Sequence, residues 1–230
     1  MPDLNFQIEG AEPVPFSAAP MLAFKVRITN TDLGQLIQSV SLSCQIQIEA
    51  TRRKYEKEEQ ENLLDLFGEP ERWGRTLRSM LWTHASTNVK PFAGSTVLDL
   101  PVQCSSDFNI AAAKYFAGVK NGEVPLNFMF SGTVFYEAGE SNLQIEQIPW
   151  DKETRYRLSV KVWKEMMEIY YPNTAWLCLR RDVFDRLSQY KMKGGIPTWE
   201  RALESLLSIA ESKAGDEEES IELMLSIGRD

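Results

Sequence analysis

The chain is poor in the side chains on which most enzyme chemistry depends. Its 230 residues include one His and three Cys, and the cysteines are widely scattered. One imidazole excludes a His-rich metal centre, and these cysteines form neither a disulfide framework nor a Cys-x-x-Cys pair. Glycine-rich loops that cradle phosphate groups are also missing. We therefore expect no metal and no cofactor.

Long apolar runs are absent as well. Crossing a bilayer requires about 20 consecutive apolar residues, and no stretch of the sequence approaches that length. The first residues, Met1, Pro2 and Asp3, lack the basic and apolar regions of a signal peptide. The sequence thus predicts a cytoplasmic protein that does not bind membranes.

Basic residues are in the minority. The chain contains 25 Lys and Arg against 33 Asp and Glu, a net charge of −8, which argues against a nucleic-acid partner. The charge is uneven, because residues 151–193 carry ten basic and six acidic side chains whereas residues 211–230 carry two and seven. The region of net charge +4 can therefore bind an acidic segment, including the tail of net charge −5.

Apolar and polar residues alternate with a period of two over much of the chain before Trp150. The alternation is longest between Val40 and Ile48, where Ser and Gln occupy the polar positions. One buried face and one wet face are typical of antiparallel sheets. The prolines in residues 12–15 predict an extended loop after the first strand. The predicted strands cover residues 4–9, 22–28, 40–48, 81–88, 97–102, 126–136 and 143–148.

A helical insertion interrupts the sheet pattern. A charged run that begins at Arg52 leads into apolar residues at helical spacing, and this segment ends at Phe67. Gly68 and Pro70 then stop the helix. We expect the insertion to cover residues 52–80 and to lie at one edge of the sheet.

Residues 107–118 are compatible with two structures. Alternating apolar side chains there suit a strand, and the following Asn121-Gly122 suits a hairpin turn. Asp107 as a cap and a run of three alanines suit a helix instead, because alanine has the highest helix propensity. We favour the helix and keep the strand as the alternative.

Helical spacing dominates the remainder of the chain. Ser159 precedes one apolar run, residues 183–190 form a second that a Gly-Gly pair ends, and Thr198 precedes a third. Residues 176–179 suit a short strand between the first two.

These patterns predict an α+β fold. We expect an antiparallel, β-sandwich-like domain at residues 1–158 that contains the helical insertion. A helical C-terminal part at residues 159–213 is expected to pack on it. Residues 214–230 are expected to form an acidic tail.

His84 is the one histidine available for general acid or base chemistry. Alternation places it on the same strand face as Trp82, and no nucleophile motif such as Gly-x-Ser-x-Gly accompanies it. A carboxylate-based hydrolase or isomerase that uses His84 is therefore an alternative function. A second alternative is a small-ligand-binding protein whose pocket lies between the sheet and the C-terminal helices.

Six tryptophans are many for a chain of this length. Most would fill a core, but Trp73, Trp82 and Trp150 lie near segments rich in Pro, Gly and charge, where aromatic rings can form a binding surface. Arg72 and Arg75 flank Trp73, and Trp with Arg is typical of the residues that dominate the energetics of protein interfaces. These five residues are the candidates for binding another protein.

The acidic tail ends in an alternating apolar segment. Four consecutive acidic residues at 216–219 precede it, and its apolar positions are Ile221, Leu223, Leu225 and Ile227. Such a segment can add as a strand to a free sheet edge, on this chain or on another. We hypothesise self-association through residues 221–227.

Seven motifs form a recognisable set, and they are Gly10-Ala11-Glu12-Pro13-Val14-Pro15, Leu66-Phe67-Gly68-Glu69-Pro70-Glu71-Arg72-Trp73-Gly74, Leu81-Trp82-Thr83-His84, Ala111-Ala112-Ala113-Lys114-Tyr115-Phe116, Phe130-Ser131-Gly132-Thr133-Val134-Phe135, Pro149-Trp150-Asp151-Lys152-Glu153 and Val162-Trp163-Lys164-Glu165-Met166-Met167. Together they resemble an uncharacterised bacterial family, catalogued as a domain of unknown function, from about residue 3 to about residue 210. The resemblance implies no catalytic residue, substrate or cofactor. Members tend to be encoded beside nickel-iron hydrogenase genes, which implies an accessory or maturation role for such an enzyme.

We therefore expect a non-enzymatic binding or accessory protein rather than an enzyme. Its partner is expected to be another protein, because catalytic motifs are missing while the residues around Trp73 and the tail suit interfaces. Assembly or maturation of a nickel-iron hydrogenase is the narrower role that the resemblance implies.

Overall fold

The computed structural model describes residues 2–105, 109–138, 142–174, 177 and 179–212. The chain divides into two compact units, with the division between residues 175 and 176. Asp107, Trp176, Cys178 and the predicted tail lie outside the described residues. The domain boundaries expected after residues 158 and 213 stay predictions.

Strands make up most of the first unit. They are β1 (Leu4–Pro13), β2 (Met21–Asn30), β3 (Leu36–Ile48), β4 (Met80–Val89), β5 (Phe92–Ala93), β6 (Ser95–Gln103), β7 (Glu123–Ala138), β8 (Asn142–Gln147) and β9 (Glu153–Ser159). The helices of the described chain are α1 (Lys57–Asn62), α2 (Leu64–Phe67), α3 (Trp73–Thr76), α4 (Ile110–Gly118), α5 (Val160–Tyr170), α6 (Arg181–Lys193) and α7, which includes residues 199–212.

The strands form two antiparallel sheets. The smaller sheet has the order β1-β2-β6. The larger has the order β4-β3-β7-β8, with β5 paired to β3 and β9 paired to β7. The predicted α+β fold, with antiparallel sheets and a helical C-terminal part, is confirmed.

The apolar faces of the two sheets meet in one core. The rings of Phe24 on β2 and Phe128 on β7 lie 5.0 Å apart, and Phe6 on β1 stacks on Phe130 at 4.2 Å. These pairs join different sheets, and all four side chains lie at the alternate positions of their strands. The period-two pattern in the sequence therefore produces the two inner faces of a sandwich.

β7 is the strand that organises the larger sheet. It is 16 residues long and pairs with β3 on one side. On its other side, residues 123–129 pair with β9 and residues 133–138 pair with β8. Gly132 of β7 pairs with Leu42 of β3 and has a φ of 137°, and a Cβ added there would lie 2.0 Å from the carbonyl oxygen of Ser41. Glycine is therefore required at this position.

Two features of the strands differ from the sequence prediction. Residues 12–15 predict a loop, but β1 continues to Pro13. Because β1 is an edge strand, the missing N–H of proline removes no bond from the sheet. The sequence prediction also omits the two-residue β5 and the longer β9, although Thr154, Tyr156 and Leu158 of β9 alternate with charged residues.

The ambiguous segment forms helix α4 rather than a strand. Asn109 caps this helix, because its Oδ1 accepts a hydrogen bond from the Ala112 N–H at 3.0 Å. Asn121-Gly122 lies between α4 and β7 and not in a hairpin. The predicted insertion helix is present as α1 and α2, and Gly68 follows α2 with φ of 71°.

α5 belongs to the first unit. Ser159 caps it as predicted, because the hydroxyl oxygen accepts a hydrogen bond from the Lys161 N–H at 3.3 Å. Trp163 of α5 stacks on Phe116 of α4 with ring centroids 4.0 Å apart. This helix therefore contributes Trp163 to the core of the first unit.

The second unit contains α6 and α7. The hydroxyl oxygens of Tyr190 and Ser205 lie 2.8 Å apart and join the two helices. Thr198 caps α7 by accepting from the Arg201 N–H at 3.3 Å, as the sequence predicts. Residues 177 and 179 are in neither a helix nor a strand. Within the described chain, no helix has the length and apolar character needed to span a membrane.

We expect Gly132→Ala to lower the free energy of unfolding by about 3 kcal/mol or more, because the new Cβ meets a backbone oxygen and φ is unfavourable. Chemical denaturation measures this change. Gly10→Ala is the matched control, since a Cβ added in β1 meets nothing within 4 Å. Its effect should stay below about 1 kcal/mol, and equal losses in the two variants would contradict the close approach of β3 and β7.

Candidate functional site

A buried ion pair fixes the insertion between β3 and β4. Nη2 of Arg53 lies 2.5 Å from Oε1 of Glu59, and the two side chains are 8% and 3% exposed. Arg53 also donates to the carbonyl oxygens of Asn121 at 2.6 Å and Glu123 at 2.8 Å. The pair therefore ties the insertion to the segment that leads into β7.

Hydrogen bonds hold Glu59 in its charged form. Burial by itself would raise the pKa of this carboxyl, but the backbone N–H groups of Lys120 and Glu56 and the Arg53 guanidinium hold the pKa below its usual value. The N–H of Lys120 donates to Oε1 at 2.7 Å. Glu59 is thus a structural anion rather than an acid that is available for proton transfer.

Two tyrosines extend this cluster. The Tyr55 hydroxyl donates to the carbonyl oxygen of Ala50 at 2.7 Å and lies 2.8 Å from the Tyr115 hydroxyl. Because the single hydroxyl proton of Tyr55 points to Ala50, Tyr115 is the donor to Tyr55. Burial raises the pKa of both phenols, so both are neutral at physiological pH.

Trp73 is fixed between this cluster and the surface. Its indole N–H donates to the carbonyl oxygen of Gly68 at 2.8 Å. The ring packs edge-on against Tyr55 at 5.2 Å and Phe67 at 5.8 Å. These contacts hold α3 and the residues before it in one position, with Trp73 half-buried.

Two exposed arginines lie on the solvent side of Trp73. Arg72 and Arg75 line an open cavity of about 780 Å³ together with Glu71, Gly74 and Thr76. Neither guanidinium forms an ion pair with another described residue. We call these five residues the arginine surface. Guanidinium groups in this state can bind carboxylates in a bidentate manner.

The other predicted binding residues lie elsewhere. Trp82 is 3% exposed and packs in the core against Phe116 at 5.0 Å and Trp163 at 6.0 Å. Trp150 is 94% exposed and has no described contact with the arginine surface. Of the five predicted residues, the structure therefore brings together Arg72, Trp73 and Arg75.

His84 lies on the solvent face of β4. Its Nε2 is 3.2 Å from Oε1 of Gln45, and no described hydrogen bond joins it to a carboxylate or a thiol. The prediction that Trp82 and His84 share a strand face is wrong, because the register of β3 and β4 shifts at Ile46 and Gln47. Trp82 therefore points into the core while His84 points outward.

The described thiols are not placed for nucleophilic chemistry. Cys44 is buried on the apolar face of β3, which the alternation between Val40 and Ile48 predicts, and Cys104 is buried too. Burial raises the pKa of each thiol to about 12, so each stays protonated at physiological pH. Among the described residues, no three His, Cys, Asp or Glu side chains are grouped so as to hold a metal ion.

The buried cluster below the arginine surface was not predicted from the sequence. The charged run after Arg52 predicts an amphipathic helix and does not indicate that Arg53 and Glu59 are buried. One local signal was available, because Glu56 and Glu59 have the spacing of a capping box. The carbonyl partners of Arg53 are 68 and 70 residues away in the sequence, and no local pattern indicates them.

We expect Glu59→Gln to lower the free energy of unfolding by about 3–5 kcal/mol, because Arg53 then lacks its buried counter-charge. Denaturation at neutral pH measures this loss. Glu58→Gln is the matched control, since Glu58 is 63% exposed and pairs with Lys120 on the surface. Its effect should stay below about 1 kcal/mol.

Acidification gives a second test of the same pair. The pKa of Glu59 is lowered in the folded state, so ionised Glu59 stabilises the fold above the unfolded-state pKa of about 4.3. This contribution is lost as the pH falls through the folded-state pKa. When the pH is lowered below about 5, the free energy of unfolding should therefore fall less in Glu59→Gln than in the wild type. Parallel pH profiles would contradict a role for ionised Glu59.

Comparisons with known proteins give a family and distant structural likenesses. No curated protein matches the chain. A putative late embryogenesis abundant protein is 11% identical with a TM-score of 0.33, over 69% of this chain and 72% of that one. A beta-glucosidase from Kluyveromyces marxianus is 9% identical with a TM-score of 0.24, over 68% of this chain and 15% of that one. The putative ApaA protein from Bordetella pertussis is 14% identical with a TM-score of 0.23, over 68% of this chain and 94% of that one.

These structural likenesses are too distant to support an argument about function. The family match is more extensive, because the model of a family of unknown function, DUF6084, matches residues 1–215. That range includes both sheets, the insertion with the arginine surface, and helices α1 to α7 as far as they are described. The chain belongs to the DUF6084 family.

Proposed function

We propose that this protein is a non-enzymatic binding protein that recognises another protein through its arginine surface. The observation that carries the proposal is the open cavity lined by Arg72 and Arg75, whose guanidinium groups have no ion-pair partner among the described residues. Arginines in such a state favour carboxylates, so the partner contributes an acidic segment.

The support beneath this surface favours binding. Trp73 is held by Gly68, Tyr55 and Phe67, and the Arg53–Glu59 pair fixes the base of the insertion. A surface that is rigid before binding loses less conformational entropy when the partner arrives. Arg72 and Arg75 therefore need to order only their own side chains.

The narrower form of the proposal is an accessory protein for a nickel-iron hydrogenase in the cytoplasm. The partner is then a hydrogenase subunit or a factor that matures it. The support for this form is the resemblance of the sequence motifs alone. The arginine surface is compatible with any partner that carries an acidic segment.

An enzymatic function has less support. A carboxylate-based hydrolase or isomerase would need His84 in a concave site beside a carboxylate or a thiol. In the described residues, His84 contacts Gln45 instead, and it lines neither the cavity at the arginine surface nor the cavity beside Phe135. A small-ligand pocket between the sheet and the C-terminal helices stays a prediction.

We expect Arg72→Glu combined with Arg75→Glu to reduce capture of the partner at least tenfold in affinity purification from the native host. The two substitutions together change the charge of the arginine surface by −4. The surface then repels the carboxylates that it would otherwise bind. Mass spectrometry identifies and quantifies the captured proteins. A hydrogenase subunit among the proteins that are lost would support the narrower proposal.

Arg78→Glu is the matched control. Arg78 is exposed, lies in the same segment and does not line the cavity. It should retain the partner, and all variants should unfold at the wild-type temperature. Retention of every captured protein by the double variant would contradict the proposal.

A further inference from the structure

β8 presents its apolar side chains to solvent. Leu143 and Ile145 are 59% and 60% exposed. They pair with Glu137 and Phe135 of β7, which lie on the outer face of the larger sheet. This polarity is the reverse of that of β3, where the solvent face carries Ser and Gln. β8 therefore exposes the kind of side chain that the other strands of the sheet bury.

A third apolar side chain lies on the same edge of the larger sheet. Trp150 follows three residues after β8 and is 94% exposed. The chain stays beside β7 there, because the Phe130 N–H donates to the carbonyl oxygen of Lys152 at 2.8 Å. We call Leu143, Ile145 and Trp150 the apolar edge. Exposed apolar groups that lie together are typical of interaction surfaces.

β8 is an edge strand with free backbone groups. Within the described chain it pairs with β7 alone. The N–H of Ile148 donates to the carbonyl oxygen of Gly132 at 2.9 Å, and the backbone groups of alternate residues point to the same side of a strand. The even-numbered residues of β8 therefore bond to β7. The backbone groups of Leu143, Ile145 and Gln147 point outward, without a strand partner in the described chain.

The other long edge strands are less suited to accept a further strand. Prolines, bulges and charged side chains blunt an edge. β1 contains Pro13 and a register shift, β6 contains Pro101, and β9 exposes Arg155 and Arg157. The solvent face of β4 is polar over residues 84–88. None of the six residues of β8 is a proline, a lysine or an arginine.

β8 is complementary to a second copy of itself. If two copies pair antiparallel across a two-fold axis at Gln144, Leu143 of each copy faces Ile145 of the other. The outward backbone groups of these two residues then meet. Glu146 is the one charged residue of β8, and it faces Asn142 of the second copy. No like charges are therefore opposed across the axis.

The available area indicates reversible association. A standard interface buries about 800 Å² on each partner, which is more than a six-residue strand supplies by itself. Trp150 adds up to about 250 Å², because it extends beyond Asn142 of the second copy. A cavity of about 440 Å³ beside Leu143 also borders the contact. We expect a dissociation constant of about 10 μM.

We propose that this protein forms a symmetric dimer in which the β8 strands of two copies pair antiparallel and join the two larger sheets. The outward N–H and carbonyl groups of Leu143 and Ile145 form the backbone hydrogen bonds, and the apolar edges of the two copies cover each other. Because the two-fold axis uses the free side of both β8 strands, neither accepts a further strand. The interface contains no residue of the arginine surface, so the proposal does not depend on it.

Sedimentation velocity of the full-length chain tests the dimer. The wild type should show a monomer–dimer equilibrium. Ile145→Lys should raise the dissociation constant at least about a hundredfold, because the two-fold axis brings each new charge into the interface twice. Val97→Lys is the matched control, since Val97 is a 45% exposed apolar residue on another edge strand, β6. It should dimerise as the wild type does, and both variants should unfold at the wild-type temperature.

Two results of this experiment would overturn the proposal. One is a wild-type chain that stays monomeric up to about 1 mM, the weak end of specific association. The other is a dissociation constant of Ile145→Lys that equals that of the wild type.

Disulfide trapping tests the pairing of the strands. Gln144→Cys places two thiols at the axis, in a pair whose Cα atoms are about 4.5 Å apart, which suits a disulfide. Gln147→Cys is the control, because its two copies are about 20 Å apart in this pairing. Both variants carry Cys178→Ser, and the native Cys44 and Cys104 are buried.

Copper phenanthroline is the oxidant, and non-reducing electrophoresis measures the product. Gln144→Cys should form a covalent dimer, whereas Gln147→Cys should stay monomeric under the same conditions. Equal yields of covalent dimer from the two variants would contradict the pairing of β8 across an axis at Gln144.

Discussion

The pairing of β7 with β3 is the interaction on which the rest of the first unit depends. The two strands pair in one register from Ile48 and Leu126 to Ser39 and Phe135, and Gly132 allows their backbones to approach. The insertion follows the end of β3, and Arg53 binds the carbonyl oxygen of Glu123, where β7 begins. β8 pairs with the other end of β7. The insertion with the arginine surface and β8 thus extend from opposite ends of one strand pair.

Local periodicity predicted most of the sheet structure. Seven strands have a period-two pattern because each has one face in the core and one in water. β9 has the same pattern but was not predicted, and charged residues occupy its outward positions at Glu153, Arg155 and Arg157. The core position of Trp82 could not be predicted, because it results from a register shift against β3. A shift of this kind is a property of two paired strands and leaves no periodic signal in either one.

The exposed residues of the candidate site could be predicted from the sequence, but the buried residues that support them could not. Arg72, Trp73 and Arg75 are adjacent in sequence, so composition alone indicated them. The support from Arg53 and Glu59 depends on contacts with residues more than 60 positions away. A buried ion pair adds little net stability compared with apolar packing, but it tolerates few alternative arrangements. Its contribution here is to hold the insertion in one conformation relative to β7.

The bonds that Arg53 makes outside the insertion have a consequence for sequence divergence. Its guanidinium binds the main-chain carbonyl oxygens of residues 121 and 123, and every amino acid provides such an oxygen. Substitutions at those two positions can therefore accumulate among relatives without loss of the bonds. Arg53 and Glu59 contribute side chains, so we expect these two positions to evolve as a coupled pair.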